Sequence, residues 1–304
     1  MNNDTRNLLR EVCSGDISRA QKAAMVLMKN NKTAKDADFC ADLLKKMEAK
    51  ANFIQLPQNV RGILVAEDVS QYPTAKFFWR KRENDIADKV ISMYHVADQL
   101  QSKGIRYLPA TILWGESGCG KTELARYIAY RVGLPYVYVR FSTLVDSFLG
   151  KTQKNLANVF DYVRRTPCVM CFYEIDAVGM ERGQQNEVGE MSRIVISLMQ
   201  ELDTIPNDVI IIGTTNRFDM LDTALVRRFP MNYQIYRLDQ TDAEEMARKF
   251  LAYAGSEKED IDLYVSSVTG DVSAATIIRD CTEFVAQKLM KKREIECCNG
   301  GECK

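Results

Sequence analysis

The sequence predicts an α/β protein: a five-stranded parallel sheet between helices, a small all-helical lid after it, and a helical domain before it. Two observations carry this prediction. Short apolar runs alternate with helical stretches through the middle of the chain, which is how a parallel sheet covered on both faces reads. On either side of that region the apolar spacing is helical and no strand candidate occurs. With 304 residues, 46% hydrophobic and 27% charged, the chain has enough material for a large core and for more than one domain.

Taken in order, the first helical signals are Leu8, Leu9 and Val12. An Asp16-capped segment then carries Ile17, Ala20, Ala23, Ala24 and Leu27, and a third carries Phe39, Leu43, Leu44 and Met47. Pro57 and its polar neighbours break the pattern, so residues 1–66 read as a helical N-terminal domain and linker. The stretch Lys76-Phe77-Phe78-Trp79-Arg80-Lys81-Arg82 reads as packing at the entry to the next domain with its cations solvated. A long helix follows over 83–103. Strands are expected at 111–114, 135–139, 169–173, 209–213 and 232–236, giving a large α/β domain over 67–238. Residues 239–294 form the helical lid and 295–304 a flexible tail.

Charge narrows the function classes. Lys+Arg and Asp+Glu both number 41, so no overall basic field favours nucleic acid or an anionic membrane as partner. The start is polar, and no apolar run approaches the ~18 residues of a membrane span, so a cytoplasmic location is expected. Nine cysteines scattered through a chain of this length are expected to be reduced. Cys168 and Cys171 lie on a strand-like run that sends their side chains to opposite faces, so the pair reads as core and not as a metal site. Cys297, Cys298 and Cys303 have no histidine near them, His95 being the only one, and read as a frayed terminus.

The chemistry is concentrated in the middle domain. Residues Gly115, Glu116, Ser117, Gly118, Cys119, Gly120, Lys121 and Thr122 spell G-x-x-x-x-G-K-[ST] between a strand and a helix. Glycines let successive N–H groups face phosphates, Lys121 reaches the β and γ phosphates, and the Thr122 hydroxyl can ligate Mg²⁺. The helix that opens with Glu123 adds the positive end of its dipole. Glu174 follows the third strand, where a carboxylate beside a phosphate loop can polarise an attacking water. Asn216 follows the fourth strand at the adjacent tip, and the adjacent arginines Arg227 and Arg228 come shortly after.

In this order the motifs resemble the AAA+ ATPase family, and within it the AAA subgroup of ring-forming, protein-remodelling ATPases. The resemblance implies that ATP and Mg²⁺ are the ligands, with 115–122 as the Walker A loop, Glu174 as the catalytic glutamate of Walker B and Asn216 as sensor 1. It implies that Arg227 or Arg228 enters a neighbouring subunit's site as an arginine finger, the preference falling on Arg228. Phe148, Leu149 and Gly150 match a substrate-gripping pore loop, and Ala274 lies where the lid helix meets the nucleotide. A ring oligomer, hexameric by the family's habit, would then act on a protein substrate or adaptor recruited through the N-terminal domain.

One position departs from the family pattern. Tyr173 stands where an aspartate normally holds Mg²⁺ and its waters, and a phenol is neutral at pH 7, with a pKa near ~10. Three readings are open: an ATPase, slowed by Tyr173, that remodels or threads a protein; a nucleotide-dependent assembly scaffold with impaired hydrolysis; and a DNA-associated AAA+ protein, supported by Lys151 and Lys154 but opposed by Phe148 and the balanced charge. The first is favoured because Lys121, Glu174, Asn216 and both arginines are all retained.

Overall fold

The computed structural model describes residues 5–6, 27, 56–139, 149–179 and 188–298. The chain divides into two compact units, Met1–Gln55 and Leu56–Lys304. In the first, Thr5, Arg6 and Leu27 are helical, and the rest of the expected N-terminal helices lie outside the described residues. The second unit contains the phosphate loop and every other motif residue of the middle domain.

The centre of this second unit is a six-stranded sheet in the order β1-β3-β4-β5-β2-β6. The strands are β1 (Leu64–Glu67), β2 (Ala110–Trp114), β3 (Tyr136–Val139), β4 (Val169–Phe172), β5 (Ile210–Thr215) and β6 (Met231–Gln234). The five strands expected from sequence are present and mutually parallel. The sixth, β1, corrects the expected count: it runs antiparallel along the β3 edge, pairing Leu64 with Val139 and Glu67 with Tyr136. Three of its residues fall in the stretch read as linker. At four residues, with Leu64 alone buried, it is too short to show an alternating pattern.

The helices are α1 (Lys81–Ser102), α2 (Lys121–Val132), α3 (Leu149–Val163), α4 (Asp176–Gly179), α5 (Val188–Leu202), α6 (Thr223–Val226), α7 (Gln240–Tyr253), α8 (Lys258–Val265) and α9 (Ala274–Cys298). One sheet face is covered by α1 and α2, whose Ile86, Val90, Leu124 and Ile128 pack on Leu113, Tyr136, Val169 and Cys171. Leu124 and Ile128 are fully buried, each contributing about 1.5–3 kcal/mol. The opposite face meets α3, where Phe160 stacks 6.0 Å from Phe172, and α5 packs against α3. The alternation seen here places Cys171 on the α2 face; it and Cys168 are buried free thiols.

The lid has its own core. Ala247 and Leu251 of α7, Val265 of α8 and Ile277 and Cys281 of α9 are buried together. Capping residues fix where its helices begin: Asp239 accepts the Asp242 amide at 2.9 Å, and Ser273 accepts the Thr276 amide at 3.1 Å. Helix α9 continues to Cys298, so residues 295–298 are helical and not part of a tail, while 299–304 lie outside the described residues. Among the described residues no helix is long and apolar enough to cross a membrane.

Candidate nucleotide site

Helix α2 starts where the phosphate loop ends, and the loop is shaped by close approach. Gly115, at φ +142°, leaves room for the Ile235 carbonyl, which a Cβ would meet at 2.2 Å. Gly118, at φ +78°, lies under the lid: a Cβ there would sit 2.9 Å from Ser273 Oγ and 3.0 Å from the Ala275 methyl. The Ala275 amide donates to the Gly118 carbonyl at 3.0 Å, so the N-terminus of α9 rests directly on the loop. These contacts explain why glycine is required at Gly115, which the motif fixes, and at Gly118, which the motif leaves open.

Lys121 is buried at the loop's end. Its ammonium donates to the Gly115 carbonyl at 2.8 Å, the Glu116 carbonyl at 2.7 Å and Asn216 Oδ1 at 2.7 Å. Those three acceptors match the three donors a lysine carries. Burial lowers its pKa from the ordinary lysine value, against the opposing effects of Cys119, Asp176 and Glu174. Strand pairing explains the meeting with Asn216: β2 and β5 are adjacent and in register from Ala110↔Ile211 to Trp114↔Thr215, so the residues that follow both strands emerge side by side.

Glu174 follows β4 with its side chain exposed and φ 51°, in the left-handed region that side chains avoid at a cost of about 1–3 kcal/mol. Ile175 after it is fully buried and donates its amide to the Thr214 carbonyl at 3.0 Å. Asp176 accepts from Thr215 Oγ1 at 2.6 Å. Tyr173 before it stacks on Tyr138, ring centroids 4.5 Å apart. The Tyr173 hydroxyl accepts from Tyr136 Oη at 2.8 Å and from the Arg126 guanidinium at 3.2 Å. Arg126 is in turn held by Glu67, Nε to Oε2 at 2.6 Å and Nη2 to Oε1 at 3.1 Å. Burial raises the Tyr173 pKa well above the ordinary phenol value.

These groups border one cleft of about 560 Å³ between the sheet tips and the lid. Ser117 to Glu123, Tyr173, Glu174, Asn216 and Ala274 line it, as do Leu238, Met246 and Ile278 from the lid side. Phe77, Phe78 and Trp79 form a further wall, with Trp79 stacked 5.0 Å from Tyr127. Their run reads in sequence as packing only; in the structure it also lines the cleft. Arg80 corrects the expectation of solvated cations. It is 16% exposed and bonds Glu83, the Arg237 carbonyl at 3.0 Å and the Tyr236 carbonyl at 3.1 Å.

The remaining expected residues divide. Asp222 caps α6 through the amides of Ala224 (2.7 Å) and Leu225 (3.3 Å), which sets the orientation of the turn carrying both arginines. Arg228 is committed within its own chain, to the Ala224 carbonyl at 2.9 Å and Asp203 at 3.3 Å. Arg227 is exposed; its amide donates to the Thr223 carbonyl at 3.2 Å, and its side chain makes no hydrogen bond or ion pair among the described residues. Leu149 and Gly150, expected in a substrate-contacting loop, are the first two residues of helix α3. Phe148 lies outside the described residues.

A divalent cation fits this donor set in a limited way. Mg²⁺ is commonly held by one or two carboxylates together with substrate phosphates, and Thr122 and Glu174 meet that minimum. Tyr173 adds nothing to it, because both lone pairs of its oxygen already accept hydrogen bonds, one of them from a cation.

The family model for the AAA domain, ATPases associated with various cellular activities, matches residues 111–237, which span β2 to the start of the lid. Over that region the chain is similar to the AAA+ ATPases of the P-loop NTPase class. It is 29% identical over 206 residues to an uncharacterized AAA family ATPase, y4kL, of Sinorhizobium fredii, covering 67% of this chain and 62% of that one. It is 28% identical to the peroxisomal ATPase pex6 of Schizosaccharomyces pombe, covering 64% of this chain and 22% of the relative. The ATPase family gene 2 protein of the same yeast is 34% identical over 59% of this chain and 22% of its own length. The chain therefore spans less than two thirds of the length of these relatives. That similarity implies nucleotide binding.

Proposed function

We propose that this AAA+ protein hydrolyses ATP at sites completed between neighbouring copies in a ring, hexameric by family habit, and uses the cycle to remodel or thread a protein substrate. The observation that carries the reading is the Lys121 to Asn216 hydrogen bond at 2.7 Å, which joins the phosphate-loop cation to the sensor amide in a cleft also lined by Glu174. Glu174 takes the proton of the attacking water, Lys121 exchanges loop carbonyls for phosphate oxygens, and Asn216 orients the terminal phosphate. Thr122 and Glu174 would hold Mg²⁺, which when bound neutralises developing charge on the phosphates. Arg227 is the better finger candidate, since a side chain that must reach another subunit cannot already be bonded at home, as Arg228 is.

The test is steady-state phosphate release by the full chain and by Glu174→Gln. Turnover in the first and its loss in the second, with ATP binding kept, are expected. Equal, background-level release would leave the scaffold reading in its place, which Tyr173 specifically favours by withholding an anionic oxygen from the cation.

A further inference from the structure

Among the described residues Glu174 is the one non-glycine at the sheet tips with a left-handed backbone, and it is flanked on both sides by residues that are firmly held. On its C-terminal side, Ile175 is buried and bonded to Thr214 at 3.0 Å, and Asp176 to Thr215 at 2.6 Å. On its N-terminal side the restraint is a side chain: the Tyr173 ring lies on Tyr138 while its hydroxyl takes hydrogen bonds from Tyr136 and Arg126. A left-handed residue persists only where its surroundings over-determine it. Here the surroundings reach back to the antiparallel edge strand, because Glu67 of β1 grips Arg126 through two parallel hydrogen bonds, the geometry that fixes a guanidinium in orientation as well as position.

We infer that Glu67, Arg126 and Tyr173 form a positioning relay that holds Glu174 at the cleft, and that Tyr173 serves as an anchor, not as a substitute cation ligand. The inference rests on the reading of Glu174 as the water-activating carboxylate. It separates sharply from the simpler view that Tyr173 is only a missing aspartate. If the phenol merely vacates a ligand position, its hydroxyl is dispensable and a carboxylate at 173 restores function. If it anchors, losing the hydroxyl does harm, and a carboxylate at 173 is captured by Arg126, whose guanidinium is 3.2 Å from the present oxygen.

The full chain and its Tyr173→Phe, Glu67→Ala, double and Tyr173→Asp variants distinguish these. Tyr173→Phe keeps the stacked ring and removes both hydrogen bonds. Its kcat is expected to fall about tenfold, the scale on which small misplacements of a reacting group act, with affinity for a fluorescent ATP analogue unchanged. Glu67→Ala gives a similar fall, and the double variant no more than either, since residues in one network are not additive. Tyr173→Asp gains nothing over the parent. Hydrogen exchange of the 174–176 amides supplies a readout independent of turnover, and it rises in Tyr173→Phe. A fully active Phe variant, a multiplicative double variant or a faster Asp variant overturns the inference. Should the parent release phosphate no faster than Glu174→Gln, the enzymatic reading fails by itself. The relay is then judged by exchange alone, and unchanged exchange in Tyr173→Phe overturns it.

Discussion

The two halves of the cleft floor are built by different rules. At the tips of β2 and β5, the groups facing the nucleotide hold one another: Lys121 bonds Asn216 and two carbonyls of its own loop, all contributed by residues of recognisable motifs. At the tip of β4, Tyr173 beside Glu174 is held from outside any motif, by Tyr138, Tyr136, Arg126 and, at one remove, Glu67. The first half is compact in sequence because phosphate recognition is a backbone property of one loop and the helix it opens. The second is scattered because positioning a side chain on a strained backbone needs packing and hydrogen bonds from whichever elements lie nearby.

Arginine substitution gives the largest expected contrast, since under the proposed function it acts on the first half from a neighbouring subunit. Arg227→Ala is expected to reduce phosphate release by about 10³-fold or more while leaving ATP affinity intact, as loss of a charge-stabilising finger does. Arg228→Ala, which removes bonds to Ala224 and Asp203 within one chain, acts first on the turn and its thermal stability. Measuring both rates alongside nucleotide affinity decides the assignment: an active Arg227→Ala with a dead Arg228→Ala reverses it.

A second contrast concerns the contact between loop and lid. Gly118→Ala places a methyl 2.9 Å from Ser273 Oγ at a φ of +78°, and strains the loop whether or not the lid gives way. ATP affinity should fall about tenfold or more, with Ser273→Gly recovering part of the loss if crowding of the lid contributes. Equilibrium binding of ATP to the single and double variants measures this. No recovery would assign the whole effect to backbone strain inside the first half.

These effects parallel what the sequence can and cannot disclose. The buried parallel strands are apolar runs, and the phosphate loop has a fixed spacing, so both are legible from local composition. Strand β1 is not, because four residues with one buried side chain leave no period, and its partner β3 lies some seventy residues away. The relay is hidden for the same reason: Arg126 and Glu67 are 59 positions apart and Arg126 and Tyr173 are 47 apart, and each reads alone as an ordinary surface or core residue. The aromatic run at 77–79 is visible as packing, but its second exposure to the cleft depends on the lid folding over it. Tyr173 shows the converse. Its departure from the pattern is plain in sequence, while its partners, which decide what the departure means, are not.

The smallest effect tests whether the motif half is self-sufficient. Glu116 puts a carboxylate on the phosphate loop itself, where it would repel a triphosphate, and Arg237 answers it at 2.9 Å while also bonding Asp271 of the lid at 3.0 Å. Both partners are substantially exposed, so the pair adds little to folding, and Arg237→Ala should leave thermal unfolding unchanged. Nucleotide affinity should nevertheless drop about threefold at low salt, because the Glu116 charge is left uncompensated near the phosphates. Adding Glu116→Gln removes that charge and should restore affinity, and raising salt towards 1 M, where the screening length falls to about 3 Å, should erase the difference between variants. A loss that persists in high salt, or that Glu116→Gln fails to rescue, would mean that Arg237 acts by holding the lid through Asp271, and the loop would then depend on outside support as Glu174 does.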